Sequence, residues 1–217
     1  MSTHPFNPPF DQLPETLPLF PLPGAIVLPD SDLPLNIFEP RYLNMVSDAL
    51  GSHRMIGMIQ PDPVADDEAE LCHTGCAGRI TQYRETSDGR LEIALRGVCR
   101  FDIKDVLPTT RGYRLGVPDW SRFSCDYADH DGDLVAERDR LIENLKRYFE
   151  SKGLVTDWGA LEQLPTVKLV NNLSMALPFS EQDKQVLLEK VEPVERLFTF
   201  TALLGGEYPT SVSDTRH

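Results

Sequence analysis

Positive charge is scarce in this chain. Only 21 Lys and Arg stand against 34 Asp and Glu, a formal net charge of −13 at pH 7. Affinity for nucleic acid rests largely on Lys and Arg neutralising phosphates. The deficit therefore excludes a general nucleic-acid binder, though not a local basic patch. No apolar run approaches the ~20 residues a membrane-crossing helix needs, so no membrane partner is expected. The opening residues MSTHPFNPPFDQ have no basic flank and no apolar core. A secretory signal is not expected, and the chain reads as cytoplasmic. Cysteine is limited to Cys72, Cys76, Cys99 and Cys125. An even number permits disulfides, but without a sign of export these read as reduced thiols, three of them in or beside strands.

Catalytic motifs are missing as well. There is no Gly-Lys dipeptide, hence no phosphate-binding loop of the GxxxxGK[ST] form. No G-x-S-x-G elbow presents a nucleophile. Ser151-Lys152 and Lys168 near Ser174 are the nearest Ser/Lys pairings. Nothing marks a buried cleft where a lysine would act as base, so they read as helix-surface residues. His53 and His130 have no nearby nucleophile, and His4 and His217 lie in the tails.

Metal motifs fail on count or register. Cys72, His73 and Cys76 offer three soft ligands where a closed zinc site takes four. They read as strand residues packed as small hydrophobes. Asp129-His130-Asp131-Gly132-Asp133 resembles a calcium loop, but its sixth position is Leu134 and its twelfth Arg140, where Gly and Glu are needed. It reads as a loop with Asp131 or Asp133 capping the next helix. The acidic run from Asp62 to Glu70 reads as a solvated loop. No catalytic residue, metal or cofactor is expected.

What the chain does have is proline, 18 of them. They punctuate the segment from Leu17 to Tyr42, LPLFPLPGAIVLPDSDLPLNIFEPRY. Proline has no N–H for a sheet and sits at strand starts and edges, so this segment reads as short strands with hard corners. A strand is expected over Leu33 to Glu39. A helix then runs from Pro40 to Leu50, with Pro40 in its first turn, Leu43, Val46 and Leu50 on its apolar face and Gly51 as its cap. Arg54 to Gln60 is a further strand. Asp88-Gly89 between alternating runs predicts a hairpin joining Gly78–Glu85 to Arg90–Leu95. Phe101–Leu107 and Tyr113–Val117 continue the sheet. Many short strands with Pro and Gly corners favour a partly closed barrel.

After Asp119 the character changes. Asp126 to Asp133 reads as a polar linker. A helical stripe follows at Leu134, Leu141, Ile142, Leu145, Tyr148 and Phe149, ending before Gly153. Two or more helices are expected between Asp157 and Leu177. Ser180 caps another that carries Val186, Leu187 and Val191. Pro193 opens a last one, with Val194, Leu197, Phe198 and Leu204 on its apolar side and Gly205-Gly206 at its end. The expected fold class is α+β, in four parts: a flexible arm over 1–15, a β-rich barrel over 16–120, an all-helical bundle over 121–207 and a disordered tail over 208–217. At 217 residues the chain can bury a sizeable core.

The Leu17–Tyr42 segment resembles the start of the N-terminal, substrate-binding domain of the Lon protease family, found also in cereblon-like proteins and as a free-standing bacterial protein. The resemblance continues through Ile56-Gly57-Met58-Ile59, Gly75 to Ile80, Asp88 to Leu95 and Arg96 to Phe101. It ends with Leu177-Pro178-Phe179-Ser180 and Val194-Glu195-Arg196-Leu197. The order of the pieces carries the resemblance. It implies a PUA-like β-barrel followed by a helical bundle. It also implies a non-catalytic module binding unfolded or damaged polypeptides through exposed apolar segments, with an ATP-dependent protease or chaperone as partner. Glu39, Arg41 and Tyr42 are the polypeptide contacts to test: Tyr42 as apolar area, the Arg–Glu pair as polar anchors. Residues at the start of a helix serve capping as well. Such a binder is expected to expose a contiguous apolar groove. The rival reading is a PUA-like RNA or small-ligand binder, with Arg79, Arg84, Arg90, Arg96 and Arg100 as a basic face. A hydrolase is a third reading and requires a cleft with perturbed acid and base groups.

Overall fold

The computed structural model describes residues 5–62, 70–128, 134 and 136–206. Six strands form first: β1 (Leu17–Pro21), β2 (Asp32–Ile37), β3 (Met55–Ile59), β4 (Thr74–Glu85), β5 (Leu91–Pro108) and β6 (Arg114–Asp119). They lie in the order β2-β5-β4-β3-β1-β6, and β5 pairs with β6 as well. That last pairing closes β1, β3, β4, β5 and β6 into a ring and leaves β2 pendant on β5. The length of β5, 18 residues, makes this possible. Its first part pairs with β2 and β4 and its last part with β6. A closed ring has no free sheet edge, so the outer edge of β2 is the one unpaired flank of the sheet among the described residues.

The hairpin forms where Asp88-Gly89 predicts it. Gly89 adopts φ +81°, and Thr86 closes the turn through backbone and hydroxyl bonds to Arg90. Gly97 marks the closest approach in the barrel. A Cβ there would lie 2.0 Å from the Leu28 carbonyl oxygen. The chain from Leu28 to Ser31 runs directly over β5, fixed by Asp30 N–H to Gly97 O (3.1 Å) and Gly97 N–H to Ser31 O (2.9 Å).

Helix α1 (Pro40–Leu50) begins as expected, but its buried face is Tyr42, Met45, Val46 and Ala49. Of the expected face only Val46 is buried; Leu43 and Leu50 are intermediate. Tyr42 turns the helix, because its ring packs on Phe20 at 4.4 Å between centroids. Gly51 ends α1 in a right-handed conformation, φ −78°.

The second half is helical: α2 (Arg138–Lys152), α3 (Trp158–Gln163), α4 (Thr166–Ala176), α5 (Glu181–Glu189) and α6 (Pro193–Gly205). The whole is α+β. Ser180 caps α5 by accepting from Asp183 N–H at 3.1 Å, and Gly153 ends α2 in the left-handed region. Helix α2 starts at Arg138 after Glu137, so the expected caps Asp131 and Asp133, which lie outside the described residues, do not head it. The expected apolar sides of α5 and α6 also need correction. In α5 the buried apolar pair is Leu187 and Leu188, while Val186 is only partly buried. In α6, Leu197 and Leu204 are buried with Phe200 and Leu203, but Phe198 is 57 % exposed and Val194 also faces out. Both helices are wrapped by polar partners on a side that period alone reads as wet. Their buried faces include Gln185 and Arg196.

Helix α5 joins the two halves. Gln60 donates to Glu181 O (3.0 Å) and to Gln185 Oε1 (3.1 Å), and Gln185 donates to Thr74 O (3.1 Å). Of the expected arm over 1–15, the stretch from Pro8 to Pro14 makes contacts with the barrel end. Phe10 packs edge-on against Tyr127, Tyr127 O–H donates to Pro8 O, and Trp120 donates to Pro14 O. Apolar Phe10 and Leu13 gain more from the barrel end than from water. The tail beyond 206 and the acidic residues 63–69 lie outside the described residues, as does the Asp129–Asp133 loop. No helix of the described residues is long and apolar enough to cross a membrane.

Candidate functional site

Alternation along β2 decides what its end presents. Ile37 is buried, so Phe38 swings outward and is 60 % exposed. The chain then turns into α1, whose first residues are Pro40 and Arg41. Arg41 Nε donates to Glu39 Oε2 at 3.0 Å, and the pair is about half exposed. Tyr42 is buried at 6 % exposure, with the Arg41 guanidinium 4.5 Å above its ring centroid. Burial raises the Tyr42 phenol above its ordinary pKa. The three expected contacts are thus brought together in a stack. Arg41 and Glu39 face solvent, and Tyr42 supports them from the core. Phe38 completes the corner, with Arg90 of the hairpin turn 5.6 Å from its ring centroid. Phe38 lay inside the segment read from sequence, and the period-two rule applied from Ile37 would have found it.

Beside this corner a shallow groove of about 460 Å³ runs along β2, β5 and β4, past Leu35, Tyr83 and Ala94. Tyr83 is part exposed. The other large exposed apolar side chains sit elsewhere: Phe6 precedes β1, Leu107 lies near the end of β5, Leu154 and Val155 follow α2, and Val194 and Phe198 lie on α6. Exposed apolar area is divided between separate elements.

The expected basic face is neutralised. Arg84 pairs with Glu92, Arg90 with Asp88, and Arg96 with Asp30 and Asp32. Arg79 stacks over Phe6. Arg100 is buried at 1 % exposure and bound bidentately by Asp126, Nε to Oδ1 and Oδ2 at 3.2 and 3.0 Å. It also donates to Leu188 O (3.1 Å), Val191 O (2.9 Å) and Lys190 O. Asp126, expected in a polar linker, belongs to a 3-10 segment (Ser121–Tyr127) that buries Phe123. Neither Arg100 nor Asp126 is marked by sequence pattern, because a buried ion pair 26 residues apart leaves no period.

The remaining motifs take structural places. Ser174 is buried and donates to Val170 O at 2.7 Å; Ser151 donates to Tyr148 O at 2.8 Å. No lysine joins either hydroxyl. His53 Nδ1 accepts from Met55 N–H at 3.1 Å. Cys72, Cys76 and Cys99 are buried free thiols. Burial pushes Cys72 up to about 11 and raises Cys76 and Cys99 further still, the opposite of an activated nucleophile. No group of three His, Cys, Asp or Glu able to hold a metal ion occurs among the described residues.

Comparison with known proteins gives one consistent answer. Residues 16–204 match the ATP-dependent protease La (LON) substrate-binding domain. The Lon protease of Dictyoglomus thermophilum is 24 % identical over 209 residues, covering 90 % of this chain and 25 % of that protein. Lon protease 2 of Sorangium cellulosum is 30 % identical over 207 residues, 89 % of this chain and 25 % of that protein. The chain therefore spans about a quarter of the length of the curated relatives it matches. Among solved structures, a Lon N-terminal domain protein from Xanthomonas campestris superposes with a TM-score of 0.64 at 27 % identity, covering 86 % of this chain and 97 % of that one. The N-terminal domain of a Mycobacterium avium complex Lon protease, 18 % identical, shares the fold with a TM-score of 0.63 over 89 % of this chain and 100 % of that one.

Proposed function

Because this chain belongs to the ATP-dependent protease La (LON) substrate-binding domain family, we propose that it is a non-catalytic recognition module for unfolded or damaged polypeptides. The match is to the substrate-binding domain alone, with no ATPase or protease module. The observation that carries the reading to particular atoms is the corner at the end of β2. There an exposed aromatic, Phe38, stands beside the half-exposed Glu39–Arg41 pair, next to a strand edge with free backbone groups. An extended segment laid along β2 gains main-chain hydrogen bonds from that edge. Phe38 supplies apolar area, and Arg41 and Glu39 supply a donor and an acceptor. Tyr42 holds Arg41 in place from beneath. Pro34, which has no N–H, limits how much of β2 a guest strand can use.

The exposed apolar area is modest, so binding is weak and tolerant of sequence. That suits a module that samples many chains and passes them to an ATP-dependent protease or chaperone. The test is fluorescence anisotropy of a labelled, permanently unfolded polypeptide titrated with the purified chain. Phe38→Ser and Arg41→Glu are expected to weaken binding about fivefold or more, roughly 1 kcal/mol, without moving the thermal midpoint. Equal binding by both variants removes the corner from the site. Absence of binding by the unaltered chain removes the polypeptide reading itself.

A further inference from the structure

A cavity of about 320 Å³ lies where the barrel meets α4 and α6. That volume falls within the ~300–1,000 Å³ of small-molecule sites. Four cations line it, Arg96, Arg100, Lys168 and Arg196, against two carboxylates, Asp30 and Asp126. In a chain of net charge −13 this is a local inversion of sign.

The two carboxylates are spoken for unequally. Asp126 is held by Arg100. Asp30 reaches Arg96 only at 3.4 Å, and Arg96 touches Asp32 at 3.3 Å, both long for charge-assisted bonds, which cluster at ~2.7–2.9 Å. The Arg96 Nε–H has no acceptor among the described residues.

Arg196 is 2 % exposed, yet every acceptor it reaches is neutral: Leu187 O (3.2 Å), Asn171 Oδ1 (2.9 Å) and Lys190 O (3.0 Å). A buried guanidinium without a carboxylate of its own is costly. Burial, and then the Arg100 charge, push Arg196 down to about 9. The Lys168 side chain has neither a hydrogen bond nor an ion pair among the described residues. It rises from the first turn of α4, where Leu169 N–H makes the first helical bond, to Pro165 O. Val167 and Lys168, whose backbone N–H groups precede that bond, both line the cavity, and such helix starts favour anions. Apart from Asn171, whose amide is taken up by Pro29 O and Arg196, the rest of the wall is apolar, chiefly Pro29, Leu164, Pro165 and Pro193.

We propose that this cavity binds a small molecule carrying one oxyanion group, a carboxylate or a phosphate, on a compact apolar body. The oxyanion sits between Lys168 and Arg96 and completes the charge around Arg196. The apolar body lies against the prolines. The site shares no lining residue with the Phe38 corner, so it stands or falls separately from polypeptide binding.

The test is isothermal titration of the full chain with sodium phosphate and, separately, with sodium 3-methylbutanoate, at constant ionic strength against sodium chloride. One saturable site is expected for at least one probe, and the preferred probe identifies the oxyanion. Lys168→Glu removes a group that holds nothing in the fold, and is expected to weaken binding at least about tenfold. Lys152→Glu, the same charge change at the far end of α2, is expected to leave it within about twofold. A failure of both probes to saturate beyond chloride overturns the proposal. Equal weakening by Lys152→Glu overturns it too, since binding would then follow net charge alone.

Discussion

Arg100 and Asp126 show how much one buried pair decides. Side chains from β5 and the 3-10 segment meet at 1 % and 5 % exposure, and the same guanidinium reaches three carbonyls in the last turn of α5 and just after it. Removing one partner of a buried pair leaves an uncompensated charge, at a cost of about 3–5 kcal/mol. Asp126→Asn is therefore expected to lower stability by that amount in urea denaturation. Glu92→Gln breaks the exposed pair with Arg84 and is expected to cost less than about 1 kcal/mol. Similar losses for the two variants would show that the Arg100 network carries no special weight. The same reasoning explains why five arginines within and beside the hairpin do not make a nucleic-acid surface. Four of them are matched by carboxylates, so little net field is left to steer phosphate.

Among the elements, β5 sets the barrel, and its glycine tests that role. A Cβ at Gly97 meets Leu28 backbone atoms, which have no rotamer to move, so Gly97→Ala forces the crossing chain away from β5. The expected loss is about 2–3 kcal/mol or more. Gly153→Ala, at φ +64° with open space around it, carries only the left-handed strain of about 1–2 kcal/mol. If thermal melts rank the two the other way, the Leu28 crossing is not tight. This scale is also where the sequence was most and least legible. The hairpin at Asp88-Gly89, the Pro40 helix start, the Ser180 cap and the Gly153 stop were readable because each is a local backbone requirement. The buried faces of α1, α5 and α6 were not. Tyr42, Gln185 and Arg196 turn inward to partners distant in sequence, and a scale that counts such residues as wet rotates the helix. The candidate corner was half legible: Glu39, Arg41 and Tyr42 were singled out together, whereas Phe38 emerged once Ile37 was seen to be buried.

For the whole molecule, the strands end near residue 120, but side-chain bonds run across that boundary. The bonds of Gln60 and Gln185, the Arg100 cluster and the Asn171 bond to Pro29 O (3.2 Å) cross it. We expect one cooperative unfolding transition. The two tryptophans allow a direct check: Trp120 packs on Phe101 in the barrel, and Trp158 packs on Phe149 in the helices. Fluorescence of Trp158→Phe and of Trp120→Phe then follows each half alone. Each midpoint is expected to coincide with the far-ultraviolet circular dichroism midpoint of the same variant. Two separated midpoints would make the halves independent domains.

The placement of Arg100 has a temporal side. Its carbonyl partners at Leu188 and Val191 lie 88 and 91 residues further along the chain. At about 5–20 residues per second on a ribosome, that gap is on the order of 4–18 s of synthesis. Throughout it, the strand that knits the barrel carries a cation whose carbonyl acceptors do not yet exist. The nascent barrel keeps one wet end until α5 arrives, and a helix made 88 residues later is what seals the first half.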